Sequence, residues 1–235
     1  MKYLVTGSHG KLGAELCPLI PCVTPTHAEM DILNPDAVER FVSREDINAV
    51  VHLAAITSRA AAEKDKLQSY RVNVQGTRTI ATVAARHQKK VIYISTEIVF
   101  PGSEGNYRED DTPSPKDWYG FTKLAGEFEV QTATDDHLII RTTFRPKTWE
   151  FPTAFTNVVT VGDYVDIIAK EIALCLTINP VGIIHIGTPK KTFFELAKRR
   201  KPDIQEELFP DNTFLRRDLN IEKWEMLKKE SGSHM

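Results

Sequence analysis

The amino-terminal stretch KYLVTGSHGKLG constrains the fold most, because a short apolar run is followed at once by closely spaced glycines. The run YLV is typical of a buried strand, and a helical pattern begins after the glycines. Gly7, Gly10 and Gly13 form a G-x-x-G-x-x-G pattern. Such a turn lets the backbone approach a pyrophosphate, whose charge meets free N–H groups at the start of a helix. The alternative is a tight glycine turn that binds nothing.

The rest of the chain alternates short apolar runs with helical patterns. Strands are predicted at residues 22–24, 49–53, 91–95, 138–141 and 182–186. Helices are predicted at residues 11–19, 36–44, 67–87, 117–134, 163–177 and 193–199, and from about residue 221. The strand runs are continuously apolar, as expected where helices cover both faces of a parallel sheet. The sequence therefore predicts an α/β fold with a doubly wound parallel sheet, and ligands beyond the carboxyl ends of its strands.

Composition limits the function classes. The 235 residues allow one large domain or one domain with a small appendage, and 41% hydrophobic residues suffice for an ordinary core. A net charge of -2 favours neither a nucleic-acid nor a membrane partner. Three cysteines without a C-x-x-C pair, histidines without metal-ligand spacing and no apolar leader predict a cytoplasmic protein without a metal. The tail 232–235 resembles an expression-vector remnant.

A second motif carries chemistry. Tyr119 and Lys123 are four residues apart on a predicted helix and therefore share one face. A nearby ammonium favours the phenolate and lowers the pKa of a tyrosine, so the pair suits proton exchange with a carbonyl or alcohol. Thr96 lies at the end of a predicted strand, where its hydroxyl could bind the same substrate oxygen. The alternatives are an incidental tyrosine, a solvated lysine and a threonine that caps the next turn.

Taken together, these motifs resemble those of an extended short-chain dehydrogenase/reductase. Within that family the chain is similar to the dTDP-4-dehydrorhamnose reductase-like sugar-nucleotide reductases. The stretches that carry the resemblance are TGSHGKLG at 6–13, HLAA at 52–55, RVNVQGT at 71–77, YISTEIVFPG at 93–102, YGFTKLAGE at 119–127 and IIRTTF at 139–144. The resemblance covers most of the first 144 residues and implies a Rossmann-type fold with NADP or NAD as cofactor.

The resemblance also implies roles for individual residues. In this interpretation Thr96 polarises the substrate carbonyl, Tyr119 transfers the proton, and Lys123 holds the nicotinamide ribose. The implied cofactor contacts are Gly7, Ser8, His9, Gly10, Lys11, Leu12, Gly13, Asp31, Ile32, Leu53, Ala54, Ala55, Asn73, Ser95, Tyr119 and Lys123. The implied substrate contacts are Thr57, Thr96, Glu97 and Arg141.

Three of these positions keep a simpler alternative. Asp31 could serve only to cap the helix after Asn34. Asn73 could be a structural hydrogen-bonding residue of its helix. Glu97, which stands where the subgroup usually has aspartate, could be an ordinary loop acid.

The chain departs from the family pattern in two places. No acid ends the strand at 22–24, and no arginine stands beside it, so the choice between NADP and NAD is open, with a lean towards NADP. Only about twenty residues separate the strand at 138–141 from the helix at 163. We therefore predict a Rossmann domain at 1–144, joined by 162–187, and a reduced substrate lobe at 145–161 and 188–231.

Two classes of function follow. The first is an NAD(P)-dependent enzyme that reduces a keto group of a nucleotide-linked deoxysugar, or epimerises such a sugar. The second is a non-catalytic, cofactor-binding regulatory subunit, which the short lobe favours. The expected partners are a small nucleotide-sugar substrate and, in a homodimer, a second copy of the chain.

Overall fold

The computed structural model describes residues 1–210 and 216–232. The strands are β1 (Tyr3–Thr6), β2 (Cys22–Val23), β3 (Ala49–His52), β4 (Lys90–Thr96), β5 (His137–Thr142), β6 (Phe144–Arg145), β7 (Thr153–Phe155), β8 (Val159–Thr160), β9 (Asp163–Tyr164), β10 (Gly182–His185), β11 (Lys191–Thr192) and β12 (Gln205–Glu207). The α-helices are α1 (Lys11–Leu16), α2 (Pro35–Val42), α3 (Arg59–Lys64), α4 (Lys66–Tyr70), α5 (Thr77–Arg86), α6 (Trp118–Ala133), α7 (Val165–Ile178), α8 (Phe193–Lys198) and α9 (Glu222–Gly232).

Six strands form one parallel sheet in the order β10-β5-β4-β3-β1-β2. The chain leaves β1 towards β2 on one side and then returns to β3 on the other side of β1. The strand order therefore reverses at β1, and the glycine turn follows this strand. Crevices at such switch points are where open α/β sheets bind ligands. The predicted α/β, Rossmann-type parallel sheet is confirmed.

Helices cover both faces of the sheet, which explains why its strands are continuously apolar. On one face Val5, Ile92 and Ile140 pack with Ile168 and Trp224. On the other face the core is built from α2 and α5 against the alternate residues of the same strands, including Leu4, Val50, Val91, Ile139, Val38 and Ile80.

The helix predicted at 67–87 is not one regular α-helix. It consists of α4, a π-helical segment over Arg71–Gly76, and α5. Asn73 lies in the π-helical segment and is fully buried. π-Helical turns are rare in proteins, and those that occur are often located at functional sites.

The carboxyl-terminal part contains small two-stranded sheets instead of a continuation of the large one. These are β6 with β9, β7 with β12 and β8 with β11. The lobe predicted at 188–231 needs a correction at its end, because α9 packs on the main sheet. Trp224 of α9 is fully buried, and its Nε1 donates to Glu171 of α7 at 2.7 Å. Of the expected tail remnant, residues 233–235 lie outside the described residues.

Candidate active site

The glycine turn after β1 is packed so tightly that two of its glycines have no room for a side chain. Gly7 has a φ of +67°, and an added Cβ would lie 2.7 Å from the backbone N of Ala54. A Cβ on Gly13 would lie 2.5 Å from the Cα of Ser8. At Gly10 the nearest atom would be the Gly7 carbonyl oxygen at 3.2 Å, while the Gly10 N–H donates to that oxygen at 3.0 Å. Gly7 and Gly13 therefore hold the turn against neighbouring backbone, while the exposed Gly10 leaves room for close approach by a pyrophosphate.

The segment after β2 faces this turn and carries two groups that the sequence alone did not place. The Glu29 carboxylate accepts from the backbone N–H and the hydroxyl of Thr26, at 2.7 and 2.8 Å. These bonds lower the pKa of Glu29, and the charge of His9 in the glycine turn lowers it further. Arg40 of α2 donates to the Glu29 carbonyl at 3.4 Å. An acid and an arginine thus lie together in the part of the chain that follows β2.

A buried hydrogen-bond network connects the turn to the strand β3. His52 contacts the Thr6 hydroxyl at 2.7 Å through Nδ1 and the Thr77 hydroxyl at 3.1 Å through Nε2. The Ala54 N–H donates to the Thr6 hydroxyl at 3.2 Å. Burial, with the nearby Lys123 charge, lowers the pKa of His52 to about 3, so its ring is neutral. The network fixes the ends of β1 and β3 relative to each other.

Asn73 extends this connection to the helix α6. Its amide oxygen accepts from the Ile56 N–H at 2.8 Å, while its amide nitrogen donates to the Ile56 carbonyl at 3.1 Å and to Thr122 at 3.0 Å. The Thr122 hydroxyl donates to the Tyr119 carbonyl at 2.8 Å. These contacts agree with the structural alternative for Asn73, since its amide is used in holding the loop after β3 against α6.

Tyr119 and Thr96 are brought together as the motif predicts. Both side chains are buried, and the Thr96 side chain lies near enough to the Tyr119 phenol to act on its pKa. The Thr96 hydroxyl also accepts from the Ile98 N–H at 3.2 Å, so the threonine caps the next turn as well. Burial and the charge of Asp117 raise the pKa of Tyr119 to about 12, which Thr96 opposes. The expectation of a lowered tyrosine pKa is therefore wrong for this structure, because the effects of burial and of Asp117 outweigh that of Thr96.

Lys123 lies on the same face of α6 and is also buried. Its Nζ is 4.0 Å from the centre of the Tyr93 ring. Burial lowers the pKa of Lys123 to about 7, and the charge of Glu127 opposes this. An amine in this state can change its charge near neutral pH.

Glu97 and two arginines gather at the same edge of the sheet. Burial raises the pKa of Glu97 to about 7, although Arg145, a hydrogen bond from Thr143 and Arg217 all act to lower it. The Arg217 side chain packs over Gly102, whose φ is +82°; a Cβ there would lie 2.8 Å from the Arg217 Cγ. The Nε of Arg217 is buried and has no hydrogen-bond partner among the described residues. This polar group lies near Thr96 through Glu97, which directly follows Thr96 in the chain.

Arg141 and Ser95 do not face this edge, contrary to the expected contacts. The Arg141 guanidinium is 2% exposed and donates to the Glu127 carboxylate at 2.8 and 3.0 Å. The Ser95 hydroxyl donates to the same carboxylate. The prediction that Arg141 contacts the substrate therefore needs a correction, because its guanidinium is buried and paired with Glu127. Glu127 was not singled out from the sequence; its place one helical turn after Lys123 was the available signal.

The remaining predicted contacts are distributed around the glycine turn. Asp31 accepts from the Leu33 N–H at 2.9 Å, and it is Asn34 that caps α2. Ile32 is buried against Gly76. The other positions vary in exposure: Ser8 and Leu12 are buried, Leu53, Ala54 and Ala55 are half-buried, and His9, Lys11 and Thr57 are exposed.

Two further features are absent from residues 1–210 and 216–232. No group of three or more His, Cys, Asp or Glu side chains is arranged to hold a metal ion. No helix in this part combines the length and the apolar character needed to cross a membrane.

The fold and the residues at the carboxyl ends of its strands define a Rossmann-type α/β protein. It has a glycine turn after β1 and a Thr–Tyr–Lys group formed by β4 and α6. The sequence profile of the RmlD substrate-binding domain matches residues 1–172, and the chain belongs to this family. It is thus one of the dTDP-4-dehydrorhamnose reductase-like proteins that its motifs resemble.

Named relatives agree with this assignment. The chain is 33% identical over 150 residues to a dTDP-4-dehydrorhamnose reductase of Aggregatibacter actinomycetemcomitans, covering 61% of this chain and 51% of the relative. It is 37% identical over 148 residues to that of Streptomyces griseus, covering 60% and 49%. The chain therefore spans about half the length of these relatives.

Solved structures extend the likeness beyond the amino-terminal part. A hypothetical dTDP-4-dehydrorhamnose reductase from Sulfolobus tokodaii has a TM-score of 0.81 at 25% identity, over 96% of this chain and 94% of that one. The dTDP-4-dehydrorhamnose reductase of Bacillus anthracis, solved in complex with NADP, has a TM-score of 0.80 at 22% identity, over 100% and 98%. The second likeness is one of fold.

Proposed function

We propose that the chain is an NAD(P)H-dependent sugar-nucleotide reductase that reduces the keto group of a dTDP-linked deoxysugar. The observation that carries the proposal is that Tyr119 of α6 is buried close to Thr96 at the carboxyl end of β4, with Lys123 one turn further along α6. The relatives named as dTDP-4-dehydrorhamnose reductases support the substrate class.

The residues of the glycine turn fit a dinucleotide. A Cβ on Gly10 would meet only the Gly7 carbonyl oxygen within 4 Å, so the backbone at Gly10 can be approached closely by a ligand. Leu53, Ala54 and Ala55 would line the cofactor beside this turn. A bound nicotinamide dinucleotide supplies the hydride. Glu29 and Arg40 near the end of β2 would contact the adenosine side, and Arg40 is a candidate for holding the extra phosphate of NADP.

The chain's own part in the reaction is orientation and proton transfer. The hydroxyls of Thr96 and Tyr119 bind the substrate carbonyl oxygen together, which places the carbonyl carbon for attack. Because burial raises the pKa of Tyr119 to about 12, its phenol stays protonated at neutral pH and is ready to donate a proton to that oxygen. The Lys123 amine, when charged, stabilises the phenolate that remains.

The substrate itself would contact the charged edge beside Thr96. The Glu97 carboxyl has a pKa near 7 and can either donate or accept a hydrogen bond to a sugar hydroxyl. Arg145 and Arg217 approach it from two other segments of the chain. These groups complete a polar surface next to the reacting carbonyl.

The test is a turnover assay with a matched pair of variants. The protein is mixed with NADPH or NADH and dTDP-4-keto-6-deoxy sugars, and the absorbance of the reduced cofactor is followed. Tyr119→Phe removes only the proton donor, so turnover should fall at least about a hundredfold while the cofactor is still bound. Tyr70→Phe, on the half-buried face of α4, is the control and should keep full turnover.

The outcomes separate the alternatives. Equal cofactor binding by wild type and Tyr119→Phe, with no turnover of any sugar offered, would leave a non-catalytic cofactor-binding protein. Turnover that survives in Tyr119→Phe would remove the tyrosine from the proposal but keep the reductase.

A further inference from the structure

Glu127 is a fully buried carboxylate directly behind the proposed catalytic face. It lies on α6 four residues after Lys123 and is 0% exposed. Arg141 of β5 donates to it through Nη2 at 2.8 Å and through Nε at 3.0 and 3.3 Å. The Ser95 hydroxyl of β4 donates to one of its oxygens. The carboxylate thus joins α6 to two neighbouring strands.

Arg141 is itself held in place by further contacts. Its guanidinium carbon is 5.1 Å from the centre of the Phe100 ring, and its Nη1 donates to the Glu109 carbonyl at 3.3 Å. The ion pair with Glu127 therefore has a fixed geometry. Its two charges are out of contact with water.

The charged and titratable groups around Lys123 come from three strands and its own helix. Tyr93 of β4 places its ring under the amine and donates its hydroxyl to the Lys123 carbonyl at 3.4 Å. His52 of β3 is neutral. On α6, Glu127 is the anion that favours the ammonium form, while Arg141 of β5 is a cation bonded to that anion.

We propose that the Glu127–Arg141 ion pair is a positioning element that determines how much positive charge Lys123 carries. The proposal rests on the function proposed above, in which that charge stabilises the tyrosine phenolate. Glu127 alone, at one turn of helix, would hold Lys123 fully charged. Because Arg141 takes up most of the carboxylate, only part of its field reaches the amine.

The alternative is an ion pair that only stabilises the fold. The two interpretations differ in the direction of the changes that single substitutions cause. Glu127→Gln removes the anion and leaves Arg141 as an unpaired cation, so Lys123 should lose its proton at a lower pH. Arg141→Gln frees the carboxylate, so Lys123 should keep its proton to a higher pH. A purely structural pair predicts instability in both variants without opposite shifts.

The measurement is made on the full chain without cofactor or sugar. Lysine side chains are labelled with carbon-13, and the Cε resonance of Lys123, assigned by its loss in Lys123→Met, is followed from pH 5 to 11. The midpoint should fall by about one pH unit in Glu127→Gln and rise by about one unit in Arg141→Gln. In the double variant the opposing effects should cancel, and the midpoint should return close to that of wild type.

The double variant also protects the test against loss of folding. Replacing both partners of a buried ion pair by neutral groups is often tolerated, whereas removing one is strongly destabilising. If the single variants do not fold, Ser95→Ala replaces them: it removes one hydrogen-bond donor from the carboxylate and should raise the midpoint by a few tenths of a unit. An unchanged Lys123 midpoint in every folded variant would overturn the proposal.

The pH dependence of turnover gives a second readout. The alkaline limb of kcat should move in the same direction as the Lys123 midpoint in each variant. Absence of turnover in wild type would end the proposed function, while opposite shifts of the Lys123 resonance would still establish the control of its charge.

Discussion

Among the described residues Lys90, Lys123 and Lys191 are almost completely buried, and the surroundings of the last two are opposite in character. Lys191, in the carboxyl-terminal lobe, is 5% exposed and is held by oxygen atoms: the Thr188 hydroxyl at 2.6 Å, the Pro189 carbonyl at 2.9 Å and Asp163 at 3.4 Å. Lys123, at the sheet edge, is 4% exposed and lies over an aromatic ring, with a carboxylate that already pairs with Arg141.

The difference shows which lysine serves the fold. A buried charge is tolerated when it is paired and hydrogen-bonded, and Lys191 meets both conditions. Lys123 is compensated much less, so its burial costs stability. Such a cost is expected where a group must keep a reactive protonation state. The lobe therefore uses its buried lysine to hold segments together, whereas the burial of Lys123 fits the role in chemistry that we propose for it.

The largest effect is expected where the lobe pair is broken. Asp163→Asn keeps the shape but removes the anion shared by Lys191 and Arg199, which donates to it at 2.9 Å. The free energy of unfolding should fall by about 3 kcal/mol, because a buried cation loses its partner. Urea unfolding at pH 7 measures this, with the exposed Asp203→Asn as the control. An unchanged midpoint would show that the lobe does not depend on this pair.

Replacing the other lysine should do the reverse. Lys123→Met keeps a similar length without the charge, and at pH 6 it should raise the free energy of unfolding by about 2 kcal/mol while turnover is lost. The folded pKa of Lys123 is about 7 and the unfolded value 10.5, so between these the unfolded chain binds more protons and wild-type stability rises with pH.

The advantage of the methionine variant should therefore be complete below pH 7 and disappear towards pH 10.5. Thermal unfolding at pH 6, 8 and 10 follows this trend, and the exposed Lys170→Met should show none of it. A destabilised Lys123→Met at pH 6 would contradict the comparison.

The smallest effect concerns the hydroxyl that joins the lobe cluster. Thr188→Val removes the bonds to Asp163 at 2.8 Å and to Lys191 at 2.6 Å while keeping the volume of the side chain. We expect a loss of about 1 kcal/mol in urea unfolding, since the ion pair itself remains. A loss as large as that of Asp163→Asn would mean that the hydroxyl, and not the charge, holds the lysine.

The large sheet was predictable because its signals are local. Each strand from β1 to β5 except the two-residue β2 is a continuous apolar run, and the glycine turn follows β1 directly. The small sheets had no such signal. The strand β12 reads QEE, fully exposed, and it exists only because it pairs with β7 some fifty residues earlier. A pairing of this kind depends on the folded chain and leaves little trace in a short window.

The same division holds within the candidate site. Tyr119 and Lys123 share a helix face by spacing alone, and Thr96 was expected at a strand end, so their proximity followed from the sequence. The use of Arg141 did not, because its partner Glu127 lies on another element and the bond forms only when β5 packs beneath α6. A charged residue at a strand end predicts a ligand contact, but in the structure the Arg141 side chain pairs with the buried Glu127.

The π-helical segment at residues 71–76 has a consequence for how this region could change. It contains one residue more than an α-helix would need to join α4 to α5. Deleting a residue here would restore a regular helix and leave α4 and α5 nearly in place, but residues within the segment would rotate about the helix axis by up to roughly 100°. Asn73 would then point away from Ile56 and Thr122. The π-helical segment thus sets the orientation of Asn73. Removing one residue from it would break the hydrogen bonds by which Asn73 joins the loop after β3 to α6.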